Sequence, residues 1–244
     1  SAVAAAPQKM LCQIGVWQHL KKNFMPIKDI RVADGGSPLF LHYKHEDVLC
    51  EALGFMVENR HFRHACMAKI TKDKNINLIA PSKIHKFAVG VGGVSAVLTD
   101  GTQINSNLVV GADGRGSQVR KTAKINCIKR SYNQTAIVLT VDHTLSHNNV
   151  AHEHFLPAGP FAILPLRGKR GSKNRSSIVW TENRQLAEVI MNLSHANFTN
   201  EFNHRFGEIL GDTTFVGPRW SYPLSYQYVE TRISQRLALI GDAA

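Results

Sequence analysis

The stretch from Asn107 to Thr122, NLVVGADGRGSQVRKT, decides the fold. Leu108-Val109-Val110 is a short apolar run of the kind that forms a buried strand. It breaks at Gly111-Ala112-Asp113-Gly114 and restarts as a helix capped by Ser117. Strand, glycine turn and helix start together bring bare backbone and helix N–H groups up to a phosphate or a ribose. A shorter version closes the chain at residues 237–244, LALIGDAA. Two strand-to-Gly/Asp turns in one chain imply an α/β layer with a parallel sheet.

Working outward, residues 76–110 read as β. Expected strands are 77–80, 83–89 and 94–99, the last closed by an Asp100-Gly101 hairpin turn, with 102–105 returning. This antiparallel meander feeds the strand at 108–110, which is expected to be parallel to its neighbour. Upstream, residues 7–24 carry apolar positions at helical spacing, broken at Gly15. Residues 27–33 and 39–44 form a hairpin around a turn at Asp34-Gly35-Gly36-Ser37-Pro38, and 54–60 leads into a helix with Phe62, Ala65, Cys66 and Ile70 on one face. Downstream, 134–141, 150–155, 161–166 and 177–180 read as sheet strands. Two helices follow at 182–193 and 197–210, then two short strands at 215–216 and 220–224. The fold class is α/β with α+β character: an incomplete Rossmann-like layer interleaved with an antiparallel-sheet domain. Residues 1–33, 46–130 and 229–244 are assigned to the first, and 34–45 and 131–228 to the second.

Composition sets bounds. The 244 residues, 43% hydrophobic and 19% charged, suffice for one large or two small globular domains. No apolar run approaches the roughly 20 residues of a membrane-spanning helix. Ser1 to Pro7 lacks the basic region and apolar length of a signal peptide, and the chain reads as an internal piece. Four scattered cysteines without a Cys-x-x-Cys pair point to reduced thiols and a reducing compartment. The net charge of +11 is spread along the chain. Its one local cluster, Arg167, Lys169, Arg170, Lys173 and Arg175, is interspersed with Gly168, Gly171, Ser172 and Asn174 and reads as an exposed hairpin loop. Without interleaved aromatics it gives no platform for stacked bases, so nucleic acid is not expected as a partner.

Three segments carry a resemblance to the class A FAD-dependent aromatic monooxygenases, ubiquinone-biosynthesis hydroxylase group. GADGRGSQVR at 111–120 fits that family's G-A-D-G-x-x-S-x-V-R motif at each fixed position, and LIGDAA at 239–244 resembles its second FAD motif. Residues 54–60 resemble its G-x-x-V-E-N-R segment, and 155–166 and 222–224 resemble stretches of its substrate domain. The family's opening G-x-G-x-x-G unit and the continuation after the Gly-Asp motif have no counterpart. That implies exposed apolar surface around 108–110 and 237–240, and little or no FAD affinity for this length of chain, which by itself is expected to be inactive.

The resemblance implies FAD as cofactor, with NAD(P)H as co-substrate. Asp242 and Gly241 are implied at the ribityl chain, Asp113 and Gly114 on the FAD side, and Asn59 and Arg60 towards the FAD phosphates. Independently of family, a carboxylate where a strand ends beside glycine can accept hydrogen bonds from sugar hydroxyls. The implied reaction is hydroxylation of a phenolic ring of a polyprenylated ubiquinone precursor by O2, through a flavin C4a-hydroperoxide. No catalytic acid or base can be assigned. A polyprenyl substrate implies a protein of the cytoplasm, or of the mitochondrial matrix in a eukaryote, peripheral to the inner membrane or in a biosynthetic complex. Rival readings are another FAD-dependent aromatic hydroxylase, a flavin reductase, or a basic binding module without catalysis. His152-Glu153-His154, with His143 and His147 nearby, has no third ligand at fixed spacing, and no metal is assigned. Ser117 lacks a G-x-S-x-G elbow and reads as a cap.

Overall fold

The computed structural model describes residues 1–35, 37 and 39–244. The turn read at 34–38 therefore falls partly, at Gly36 and Pro38, outside the described residues. The chain opens with β1 (Ala2–Ala4), α1 (Ala5–Gln13), β2 (Met25–Ile27), β3 (Asp29–Asp34), β4 (Phe40–Lys44), β5 (Gly54–Met56) and α2 (Asn59–Ile70). It continues through β6 (Ile84–Gly90), β7 (Gly93–Leu98), β8 (Gln103–Ser106), β9 (Val109–Gly111) and α3 (Gln118–Thr122). Then come β10 (Cys127–His143), β11 (Val150–Leu156), β12 (Gly159–Leu166), β13 (Arg175–Asn183), α4 (Arg184–Met191) and α5 (His195–Phe206). The last elements are β14 (Thr213–Val229), β15 (Ile233–Ser234) and β16 (Leu237–Leu239).

Contacts divide the chain into two units, Ser1–Ile76 with Asn133–Leu224, and Asn77–Tyr132 with Ser225–Ala244. The first is built on a seven-stranded sheet in the order β14-β10-β13-β12-β11-β3-β4. Cross-strand rows such as Ile137–Trp180–Phe161 and Leu139–Ile178–Ile163 put large apolar side chains on one face. Helices α4 and α5 cover that face. Phe198, Phe202 and Phe206 recur every four residues, which is one side of a helix, and all are buried against this row. Each such ring contributes about 1.5–3 kcal/mol by leaving water. Asn183 caps α4 by accepting from the Gln185 N–H, and Ser194 caps α5 by accepting from Asn197.

Several sequence expectations need correction here. The stretch 27–33 is not one strand. It divides at Lys28, whose N–H donates to the Asn149 carbonyl, so that β2 joins the small sheet β1-β5-β2 and β3 joins the large one. The large sheet is not wholly antiparallel either, because β3 pairs with β11 in parallel register. Residues 213–229 form one long strand, bent at Gly217 (φ +73°), in place of two short ones. By contact, 1–33 and 46–76 sit with the large sheet. The reason is packing: Met25, Ile27 and Met56 share a core with Ala151 and Leu166.

The second unit holds two three-stranded sheets, β6-β7-β8 and β15-β16-β9. The meander forms as read, with Gly101 at φ +87° in its turn. The strand expected at 77–80 does not form; those residues are exposed coil. Strand β9 does pair in parallel, with β16, but it lies at the edge of its sheet and is not fully buried. Leu108 is 53% exposed and Val110 47%, whereas Leu237 and Leu239 on the central β16 are buried.

Candidate cofactor site

The site is built on the register Leu237–Val109, Ala238–Val110, Leu239–Gly111. Because β9 and β16 run in the same direction, both Gly/Asp turns leave the same end of the sheet, at the strands' carboxyl ends. The carboxyl ends of adjacent parallel strands are where open α/β sheets receive ligands. Gly111 lets the turns come this close: a Cβ there would stand 2.8 Å from both the Leu239 and Val119 side chains. The Ile240 N–H donates to the Gly111 carbonyl at 3.0 Å, joining the two turns directly.

Asp113 leaves β9 and turns its carboxylate onto the start of α3. Its Oδ2 accepts from the Gln118 N–H at 2.7 Å and the Val119 N–H at 3.2 Å. Burial pushes its carboxyl up, but hydrogen bonds from Ser117, Val119 and Gln118 outweigh this and hold it below the ordinary value. It is thus an anion throughout the neutral range. Ser117 caps the helix as read, its Oγ accepting from the Arg120 N–H. Gly114 (φ +78°) and Gly241 (φ +57°) have open space where a side chain would be, so a ligand can approach the backbone there.

A residue that the sequence reading gave no role ties the turns together. Arg120 is buried, and its guanidinium donates to the Ala243 carbonyl and the Arg115 carbonyl, both at 2.7 Å. One side chain therefore clamps the loop after Asp113 to the loop carrying Asp242. Its place as the last residue of the motif at 111–120 was the available signal. Gln227 adds a bond from its amide to the Asp242 carbonyl at 3.0 Å, and Arg115 donates to Ser225.

The four turn residues are thus gathered on neighbouring strands, but the two carboxylates open on different spaces. Asp113 lines a cavity of 830 Å³ with Phe87, Val110 and Gln118; Asp242 lines one of 440 Å³ with Arg115, Tyr226 and Gln227. Asn59 and Arg60 belong to the other unit, in the first turn of α2. There the Asn59 Oδ1 accepts from the Ser1 Oγ at 2.7 Å, and Arg60 donates to Glu58 at 3.0 Å. The His152 and His154 rings lie 6.4 Å apart, and among the described residues no three metal-ligating side chains gather.

Carboxylates at paired strand ends can accept hydrogen bonds from sugar hydroxyls, and bare backbone beside them lets a ligand chain lie close. The sequence profile described as FAD binding domain matches residues 56–244. The chain is 48% identical over 244 residues to the ubiquinone hydroxylase UbiL of Rhodospirillum rubrum, covering all of this chain and 56% of that protein. It is 26% identical over 288 aligned positions to the mitochondrial ubiquinone biosynthesis monooxygenase COQ6 of Danio rerio, covering 58% of it. The chain thus spans a little over half the length of these relatives. In fold it is similar to PqsL of Pseudomonas aeruginosa, a probable FAD-dependent monooxygenase. The TM-score is 0.81 at 16% identity, over 99% of this chain and 68% of that one.

Proposed function

The chain belongs to the FAD binding domain family, and from that premise we propose that it serves an FAD-dependent monooxygenase that hydroxylates a phenolic ring of a polyprenylated ubiquinone precursor. The carrying observation is the parallel pairing of β9 with β16, which sets both Gly/Asp turns at the carboxyl ends of adjacent strands under the Arg120 clamp. The reading of the substrate rests on the kinship with UbiL and COQ6.

In this reading Asp113 and Asp242 accept hydrogen bonds from the cofactor's sugar and ribityl hydroxyls. Gly114 and Gly241 let its chain lie against the backbone, and Arg120 fixes the spacing of the two turns. Asn59 and Arg60 are assigned to its phosphates. Bound FAD would supply the redox chemistry, taking electrons from NAD(P)H and delivering one oxygen atom of O2 to the ring. The balance is one ring C–H, NAD(P)H, a proton and O2 giving the phenol, NAD(P)+ and water. Residues 34–45 and 131–228 are assigned to the substrate, where Trp220 and Tyr222, exposed and two apart on β14, offer aromatic faces on one side of the strand. No described helix is long and apolar enough to cross a membrane. A polyprenyl substrate places the reaction at a membrane surface, in the cytoplasm or the mitochondrial matrix, where the basic surface favours an anionic leaflet.

The test uses the full-length gene product. It should purify with flavin absorbance and oxidise NAD(P)H faster when a prenylated phenol is added, with a product heavier by one oxygen atom. Asp242→Ala should lose the flavin. A protein that retains no flavin, or whose NAD(P)H oxidation ignores phenols, overturns the proposal.

A further inference from the structure

Glu153 lies on β11 between His152 and His154, which pair across to Ile163 and Phe161 in the row covered by α4 and α5. Side chains alternate along a strand, so Glu153 projects from the opposite face of the large sheet. Trp220 and Tyr222 share that opposite face. They alternate on β14 with Arg219, whose guanidinium lies 4.1 Å from the centroid of the Phe198 ring on α5.

Strand register places Glu153 in one cross-strand row, Val138–Val179–Ala162–Glu153–Val32–Leu41. It is the one ionisable side chain in that row. Beside it the face is closed by β2 and β5, whose Met25 and Met56 share a core with Ala151, two residues before Glu153. The other titratable groups on this face stand apart: Asp34 ends β3, Tyr43 lies on β4, and Asp142 is paired with Arg175 at 2.6 Å. Glu153 is half-buried, and burial alone pushes its carboxyl up, with no hydrogen bond and no neighbouring charge acting on it among the described residues. A desolvated carboxylate without a partner lowers stability, so packing does not account for a glutamate in an apolar row. Ionisable groups held in this way mark sites of chemistry.

We propose that Glu153 is the catalytic base that accepts the hydroxyl proton of the phenolic substrate, an assignment that rests on the monooxygenase reading above. The carboxylate takes the proton, and the O–H bonding pair stays on the phenolic oxygen. The phenolate raises electron density at its ortho and para ring carbons, where one oxygen atom of O2 is delivered with NAD(P)H as reductant. The hydroxylated carbon then loses its C–H proton, and Glu153 returns its own proton to the phenolic oxygen, so it ends the cycle as it began. The apolar row around it holds the ring and keeps water from the carboxylate.

Two measurements on Glu153→Gln test this. In urea denaturation of the chain at pH 7, the variant should unfold at the same midpoint as the native chain or a higher one, because it removes an unpaired, half-buried charge. A lower midpoint makes Glu153 structural and overturns the proposal. In the full-length gene product, the variant should retain its flavin and hydroxylate a prenylated phenol with kcat at least tenfold lower at pH 7. The native kcat should fall as acid protonates the carboxylate, and the variant should lack that acid limb. A prenylated phenol already ionised at the assay pH needs no base, and the two proteins should turn it over within threefold of each other. A variant within twofold of native on both phenols, or slowed equally on both, overturns Glu153 as the base and leaves the monooxygenase reading standing. A native protein that hydroxylates neither phenol overturns that reading, and the role of Glu153 with it.

Discussion

Replacing Arg120 by Met keeps much of the volume and removes every donor. Arg120 is 2% exposed, and its guanidinium makes two 2.7 Å bonds, to the Ala243 and Arg115 carbonyls. Hydrogen bonds from a charged donor contribute roughly 1.5–3 kcal/mol each, so the loss is about 3–6 kcal/mol, concentrated where the two turns meet. Hydrogen exchange is the assay, because Trp17, Trp180 and Trp220 all lie in the other unit and their fluorescence does not report on this one. The protected amides to follow are Gln118 and Val119, bonded to Asp113, and Ile240, bonded to Gly111. At about 1.4 kcal/mol per tenfold, their exchange should accelerate roughly 10²–10⁴-fold. Tryptophan emission should report an unchanged first unit. Arg120→Lys, which keeps the charge but reaches one carbonyl, should fall between. Exchange in Arg120→Met within threefold of the native chain at all three amides would refute the clamp.

Acid should destabilise the first unit through His147 and His152, both pushed down to about 4, by burial above all. Their folded values lie below the unfolded value, so the neutral forms stabilise the fold above pH 6.5 and that contribution drains away as pH falls towards 4. At pH 5 the loss is about 2 kcal/mol for each, visible as a lower urea midpoint by tryptophan fluorescence and flattened in His147→Gln. Gly111→Ala should cost about 1–3 kcal/mol by overpacking against Leu239 and Val119, read from the same Ile240 amide. Gly241→Ala, with open space around it but φ at +57°, should cost only about 1 kcal/mol through the backbone. Phe202→Ala removes a buried ring packed on Phe161, Phe206 and Phe215 and should cost about 3–5 kcal/mol in chemical denaturation.

Much of the site was legible because local chemistry fixed it. Gly111, Asp113, Gly114 and Ser117 have a turn-and-cap function set by their own backbone conformations and immediate neighbours, and the structure places them in a strand, turn and helix as read. The hairpin at Asp100-Gly101 and the phenylalanine spacing of α5 were legible for the same reason, since periodicity and turn chemistry act over a few residues. The strand expected at 77–80 shows the limit: an apolar run becomes a strand only where a partner edge exists to take its hydrogen bonds.

By itself, then, the sequence determined the two Gly/Asp turns, the α/β class and the family, each from short-range pattern. Tertiary structure alone decided which strands became neighbours. Pairing β9 with β16 in parallel joins turns more than a hundred residues apart. The same long-range packing draws β3 onto β11, gives Arg120 its two carbonyls and folds the basic loop over the start of α2. Those outcomes depend on burial and hydrogen bonding between distant segments, which no local spacing encodes.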